Sequence, residues 1–171
     1  MRVLVTVGST KFDALVGAAL SQPVLDALIQ KGYSDIVVQC GDSHVDEFGP
    51  TDVERKVRRH GLDIDVWRFK PRLDEEYDAA DLIIGHAGSG TILDVLRRGK
   101  RLIIVPNPTL LDNHQEDMAH AMGELGHAKV SRVNELARSV MDLDASSLVP
   151  FPPFDASKFR GLMDQEMGFE S

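Results

Sequence analysis

Leu82-Ile83-Ile84-Gly85-His86-Ala87-Gly88-Ser89-Gly90-Thr91 is the stretch whose reading decides the fold. A short apolar run enters a loop of small residues, and a helix is predicted to begin at once, over residues 91–98. Glycines let backbone approach a ligand closely, and the unpaired N–H groups of a helix start point at an anion. The helix dipole adds about half a positive charge there. The same residues also suit a tight strand-to-helix turn closed by a Thr91/Asp94 capping box.

Working outward, similar Val-, Ile- and Leu-rich runs occupy residues 2–7, 36–40, 64–69 and 101–105, with a short sixth near Lys129. They lack clean polar alternation, which predicts strands covered on both faces. Helices are predicted between them, over 13–30, 91–98, 114–125 and 133–141, with 51–59 a weaker helical segment. Pro23 is expected to break the first of these, with Ser21 capping the restart. The run Asp74-Glu75-Glu76 reads as a solvated helix face. This β-α-β alternation predicts an α/β fold, a Rossmann-like doubly wound parallel sheet, whose ligands bind outside the carboxyl ends of the strands. The chain divides into one domain over 1–148 and a strap with a final helix over 149–171, which packs on the domain or on a partner.

Composition narrows the function. With 171 residues the chain holds one well-buried domain. A net charge of -8, from 27 acidic and 19 basic side chains, argues against nucleic-acid binding. The single cysteine, Cys40, points to a reducing, cytoplasmic setting and reads as a buried small hydrophobe. No apolar stretch reaches the roughly 18 residues of a membrane span. The six histidines form no metal pattern by spacing, and no metal or other cofactor is expected.

Two further loops fall on the same sheet edge. One is Gly8-Ser9-Thr10, after the first strand. It lacks the full G-x-G-x-x-G pattern, and no acidic residue ends the second strand, so a dinucleotide cofactor is disfavoured. The other runs from Val105 to Glu116 and carries Asn113, His114 and Gln115, three adjacent polar groups where a cap needs only one.

Three separated motifs carry a resemblance: Val7-Gly8-Ser9-Thr10-Lys11-Phe12, then Phe69-Lys70-Pro71 through Thr91, then Asp112-Asn113-His114-Gln115. Over residues 1–130 the chain resembles the small catalytic subunit of a eukaryotic glycosyltransferase of asparagine-linked glycosylation. That subunit is similar to the C-terminal, donor-binding half of the bacterial GT-B transferase that adds N-acetylglucosamine to the peptidoglycan precursor. The resemblance implies transfer of N-acetylglucosamine from UDP-GlcNAc to dolichyl-diphosphate-GlcNAc, inverting, giving a β1,4 linkage. It implies the cytosolic face of the endoplasmic reticulum and a membrane-anchored partner subunit that holds the lipid-linked acceptor. Gly8, Ser9 and Thr10 would approach the diphosphate and sugar. Gly88, Ser89, Gly90 and Thr91 would lie beside the donor phosphates, with His86 also among the donor-binding residues. Asp94 stands where the family usually has a ribose-binding glutamate, one methylene longer. His114 and Gln115 would contact the sugar, with Asn113 also among the donor-binding residues, His114 the candidate base of this chain and the partner the expected source of the base. The alternative is a non-catalytic UDP-sugar-binding regulatory subunit on the same fold.

Overall fold

In a computed structural model, residues 1–44, 55–109 and 114–153 are described, with backbone alone at His114. Seven strands form one sheet: β1 (Arg2–Thr6), β2 (Asp35–Gln39), β3 (Arg55–Arg59), β4 (Leu62–Trp67), β5 (Leu82–His86), β6 (Arg101–Val105) and β7 (Lys129–Val130). Their order is β3-β4-β2-β1-β5-β6-β7, parallel except for β3 against β4. The chain builds outward from β1 through β2 to β4, then returns to place β5 on the other side of β1. That reversal is a topological switch point, and it opens a crevice at the carboxyl ends of β1 and β5.

Alternate residues of the central strands feed two cores. Val3, Val5, Ile36, Val38, Leu82, Ile84 and Ile103 face α1 (Asp13–Ala19), α2 (Gln22–Gln30) and α6 (Leu136–Asp142). Leu4, Val37, Ile83, Leu102 and Ile104 face α3 (Asp74–Ala79), α4 (Ser89–Arg97) and α5 (His114–Glu124). Strands covered on both faces have no polar positions to spare, which is why β1, β5 and β6 read as unbroken apolar runs. Cys40 is fully buried, as its reading as a small hydrophobe requires.

The first predicted helix is two, α1 and α2, with Pro23 in the opening turn of α2. Ser21 occupies the N-cap position, yet its hydroxyl donates back to Ala18 O at 2.6 Å and makes no side-chain cap. The helix expected from residue 133 begins as a 3-10 turn, Val133–Glu135, and becomes α6 at Leu136.

Three expectations are corrected. The weaker helical segment over 51–59 is, in its described part, the edge strand β3; residues 51–54 lie outside the described residues. His60 and Gly61, with φ of 51° and 89°, form the two-residue turn into β4. Positive φ at both positions matches the twist of a hairpin. Lys56 and Arg58 then lie across from Asp65 and Asp63, each pair 3.7 Å apart. Second, β4 does alternate: Leu62, Ile64 and Val66 are buried, while Asp63 and Asp65 turn to the opposite face. Third, the acidic run is not merely solvated. Asp74 pairs with Arg72 and Arg98, and Glu76, with its side chain 14% exposed, pairs with Arg2 and Lys70.

The strap folds back at its start: Val149 N–H donates to Gly126 O at 2.9 Å, and the Phe151 ring meets His127 edge-on at 5.2 Å. The final helix and the rest of the strap, from Phe154 on, lie outside the described residues. Among the described residues no helix is long and apolar enough to cross a membrane.

Ile84 is fully buried on a central strand. Truncating it to alanine is expected to lower stability by about 2–5 kcal/mol, read as a reduced urea midpoint at unchanged m-value.

Candidate functional site

The crevice is built from three turns that leave β1, β5 and β6 at their carboxyl ends. The β1 and β5 turns meet on one side chain, the His86 imidazole. A Cβ added to Gly8 would lie 2.5 Å from its Cε1, and one added to Gly88 would collide with its Nε2. Gly8 also has a φ of 59°, where a side chain is strained in any case. Glycine is therefore needed at both positions to let two backbone segments close on one ring.

His86 is 6% exposed, and its Nδ1 is buried with no hydrogen-bond partner. Burial lowers its pKa below the ordinary value of 6.5, opposed only by the Thr6 backbone. The ring is a neutral wedge between the two glycine turns at neutral pH.

Helix α4 begins at Ser89, two residues earlier than predicted, with Gly88 at the N-cap position and no side-chain cap. The proposed Thr91/Asp94 capping box is therefore absent, because Thr91 already lies inside the first turn. Thr91 instead is half-buried, with its methyl group over Gly85 of β5. Ser89 and Gly90 are exposed, and a Cβ at Gly90 would meet open space. An uncapped helix start with small exposed residues leaves its first N–H groups available to an anion.

Asp94 lies on the exposed side of α4, one turn beyond Gly90, with its carboxylate 3.9 Å from Arg98 Nη1. On the third turn, Asn107 is 3% exposed and holds the loop together. Its Oδ1 accepts from Thr109 N–H and O–H, its Nδ2 donates to Lys11 O at 3.2 Å, and its own N–H donates to Gln115 Oε1 at 3.1 Å. Gln115 thus binds the β6 loop to the start of α5. It also lines a cleft of about 660 Å³ with Ala87, Gly88, Ser89, Asp117, Met118 and Ala121. A larger cleft, about 870 Å³, lies across α5 against β7 and holds none of the residues singled out by sequence. The smaller cleft is lined by three of them, Gly88, Ser89 and Gln115.

The structure thus brings Gly8, His86, Gly88, Ser89 and Gln115 to one edge of the sheet, with Ser9, Thr10 and Gly90 beside them. Thr91 turns inward, and Asp94 stands a turn away. Asn113 and the His114 side chain lie outside the described residues. Among the described residues no group of three His, Cys, Asp or Glu side chains is placed to hold a metal ion.

Two polar residues escaped the sequence reading. Asn107 is one. The other is Gln39, the last residue of β2 and 2% exposed, which accepts a hydrogen bond from Thr6 Oγ1 at 2.6 Å and donates to Gly8 O at 2.9 Å and Arg68 O at 2.8 Å. The available signal was a lone amide side chain ending an otherwise apolar strand.

A match to the glycosyltransferase family 28 C-terminal domain spans residues 2–165. The chain is 36% identical over 183 residues to the UDP-N-acetylglucosamine transferase subunit ALG13 of Eremothecium gossypii, covering 94% of this chain and 90% of that protein. It is 37% identical over 126 residues to the mouse protein of the same name, covering 74% of this chain but 10% of that protein. The human relative is likewise matched over 10% of its length. Among solved structures, ALG13 in solution superposes with a TM-score of 0.68 at 29% identity, over 94% of this chain and 93% of that one. MurG of Acinetobacter baumannii superposes at 0.61 with 26% identity, over 86% of this chain and 42% of that one.

A histidine buried neutral makes the folded state resist protonation that the unfolded chain accepts. Its contribution is full above about pH 6.5 and is lost as the pH falls from there through the lowered folded value. The urea midpoint is expected to drop on acidification through that window, and His86→Gln is expected to flatten the drop. An equal slope in the variant would show that His86 is not the group responsible.

Proposed function

We propose, for a chain that belongs to the glycosyltransferase family 28 C-terminal domain family, that it is the donor-binding subunit of a split N-acetylglucosaminyltransferase. The donor is UDP-GlcNAc, and the acceptor is dolichyl-diphosphate-GlcNAc, held by a membrane-anchored partner subunit at the cytosolic face of the endoplasmic reticulum. Transfer proceeds with inversion and gives a β1,4 linkage. The observation that carries this reading is the pair of glycine turns closed on His86 beside the uncapped start of α4, at the switch point of the sheet.

The chemistry follows from what departs. Displacement at the anomeric carbon expels UDP, whose diphosphate gains charge as the glycosidic bond breaks. Backbone N–H groups at Ser89, Gly90 and Thr91, with the α4 dipole behind them, stabilise that charge without reorganising. Gly88 and Gly90 let the phosphates approach the backbone, and the Ser9 turn closes the site from β1. Gln115, fixed through Asn107, presents a polar group toward the sugar from the other side of the cleft. Asp94 serves the ribose hydroxyls. The base that deprotonates the acceptor hydroxyl comes from the partner, with His114 the alternative in this chain.

The relatives support the division of labour. The Eremothecium gossypii and mouse relatives are each named as a subunit of a UDP-N-acetylglucosamine transferase, and the MurG chain is more than twice as long as the portion this chain matches. A donor half alone lacks the surface that holds the acceptor.

Gly90 offers a clean test because its neighbourhood is open, whereas any side chain at Gly88 displaces His86. Gly90→Leu is expected to cut formation of lipid-linked chitobiose in partner-containing membranes by about a hundredfold, from loss of oxyanion-type stabilisation and access. Gly90→Ala should keep the fold and retain more activity. Full activity in the leucine variant would place the donor elsewhere. Asp94→Ala is expected to weaken UDP binding about tenfold by calorimetry, as loss of a charged hydrogen-bond partner does. Unchanged affinity would remove Asp94 from the ribose role.

A further inference from the structure

We propose that Gln39 is a positioning residue for the donor, setting the Gly8-Ser9 turn through a buried three-strand clamp; this rests on the donor-site reading above. In register, Gln39 of β2 lies beside Thr6 of β1, and Trp67 of β4 lies on its other side. The Gln39 amide uses both of its N–H groups and its oxygen. The donors go to Gly8 O and to Arg68 O, at the end of β4, and the oxygen accepts from the Thr6 hydroxyl. Thr6 Oγ1 in turn accepts from Gly8 N–H at 3.2 Å. Both polar groups of the Gly8 residue are thereby held from inside the protein, one by each member of the pair.

This has a consequence for the next residue. Gly8 N–H is taken by Thr6, and Thr10 N–H and O–H both donate to Val7 O. Among the described residues the Ser9 N–H has no partner, and Ser9 is exposed. The clamp below and the His86 ring beside Gly8 constrain that turn from two sides, and the exposed Ser9 is left with its N–H free to meet a ligand. Only an amide side chain meets the demand. A carboxylate has no hydrogens for the two carbonyls, and an apolar side chain leaves the Gly8 carbonyl and the Thr6 O–H donor unpaired, while Arg68 O keeps only the Gly41 N–H. A glutamine buried beside Ile36, Val37 and Val38 of its own strand therefore has a task that packing alone does not explain.

The test uses the full chain with its partner membranes and three variants: Gln39→Met, Thr6→Val and Thr6→Ser. Loss of a buried clamp bond is expected to raise the KM for UDP-GlcNAc by about tenfold in Gln39→Met and in Thr6→Val. The kcat should stay within about twofold, since the turn still forms once donor is bound. Thr6→Ser keeps the hydroxyl and is expected to restore a KM near that of the unaltered chain. Amide hydrogen exchange at Gly8 should quicken in the first two variants and not in the third. A purely structural role would reduce the folded fraction, lowering activity per chain at unchanged KM, and that result would overturn the proposal. An unaltered KM in Thr6→Val would overturn it even if Gln39→Met failed to fold. The Gly90→Leu variant separates the two readings. If it raises the donor KM while the clamp variants do not, the Gln39 proposal alone falls. If Gly90→Leu changes neither product formation nor the donor KM, the donor site itself is misplaced.

Discussion

Two backbone turns from neighbouring strands close on one imidazole, and neither has room for a Cβ. Everything at the carboxyl edge depends on that constraint. Gly8 and Gly88 follow the paired strands β1 and β5, on either side of the strand-order reversal, and the His86 ring fills the space between their two turns. The ring is buried and kept neutral, and it is rigid where a longer side chain would hop between rotamers. A crevice that must present backbone N–H groups to a charged ligand gains from having its walls fixed before the ligand arrives.

The fixing continues downward into the sheet. Gln39 and Thr6 hold the Gly8 turn from within β1 and β2. Asn107 does the same for the β6 loop and reaches across to Lys11, so the first and third turns share a support. Each of these is a buried polar group with its hydrogen-bonding needs met by backbone or by one neighbour, the arrangement in which a polar network rigidifies a fold. The cores above and below the sheet supply the burial, and the small set of polar residues sets the shape of the edge.

Much of this was legible in the sequence, and the rest was hidden for identifiable reasons. The parallel sheet, the split at Pro23 and the three edge loops follow from apolar runs and glycine placement, which are local properties of the chain. The Thr91/Asp94 capping box was a wrong boundary: the helix starts at Ser89 because Gly88 takes the N-cap conformation unaided. Strand β3 was obscured by its charge. Arg55-Lys56-Val57-Arg58-Arg59 looks nothing like a buried strand, and it pairs through cross-strand partners, Asp63 and Asp65, known only once the hairpin is drawn. His60-Gly61 was the sequence signal for that turn. Gln39 stayed hidden because its partners sit 29 to 33 residues away, and Asn107 because its tie to Lys11 spans 96 residues, although Thr109 and Gln115 are near in sequence.

The most direct measurement of the central claim is an amide NMR titration of the full chain with UDP-GlcNAc. The account predicts that shifts concentrate on Gly8, Ser9, Gly88, Ser89, Gly90 and Thr91, on both sides of the β1/β5 reversal, with Gln39 responding through the clamp. Shifts confined to the cleft between α5 and β7, with the two glycine turns silent, would contradict it.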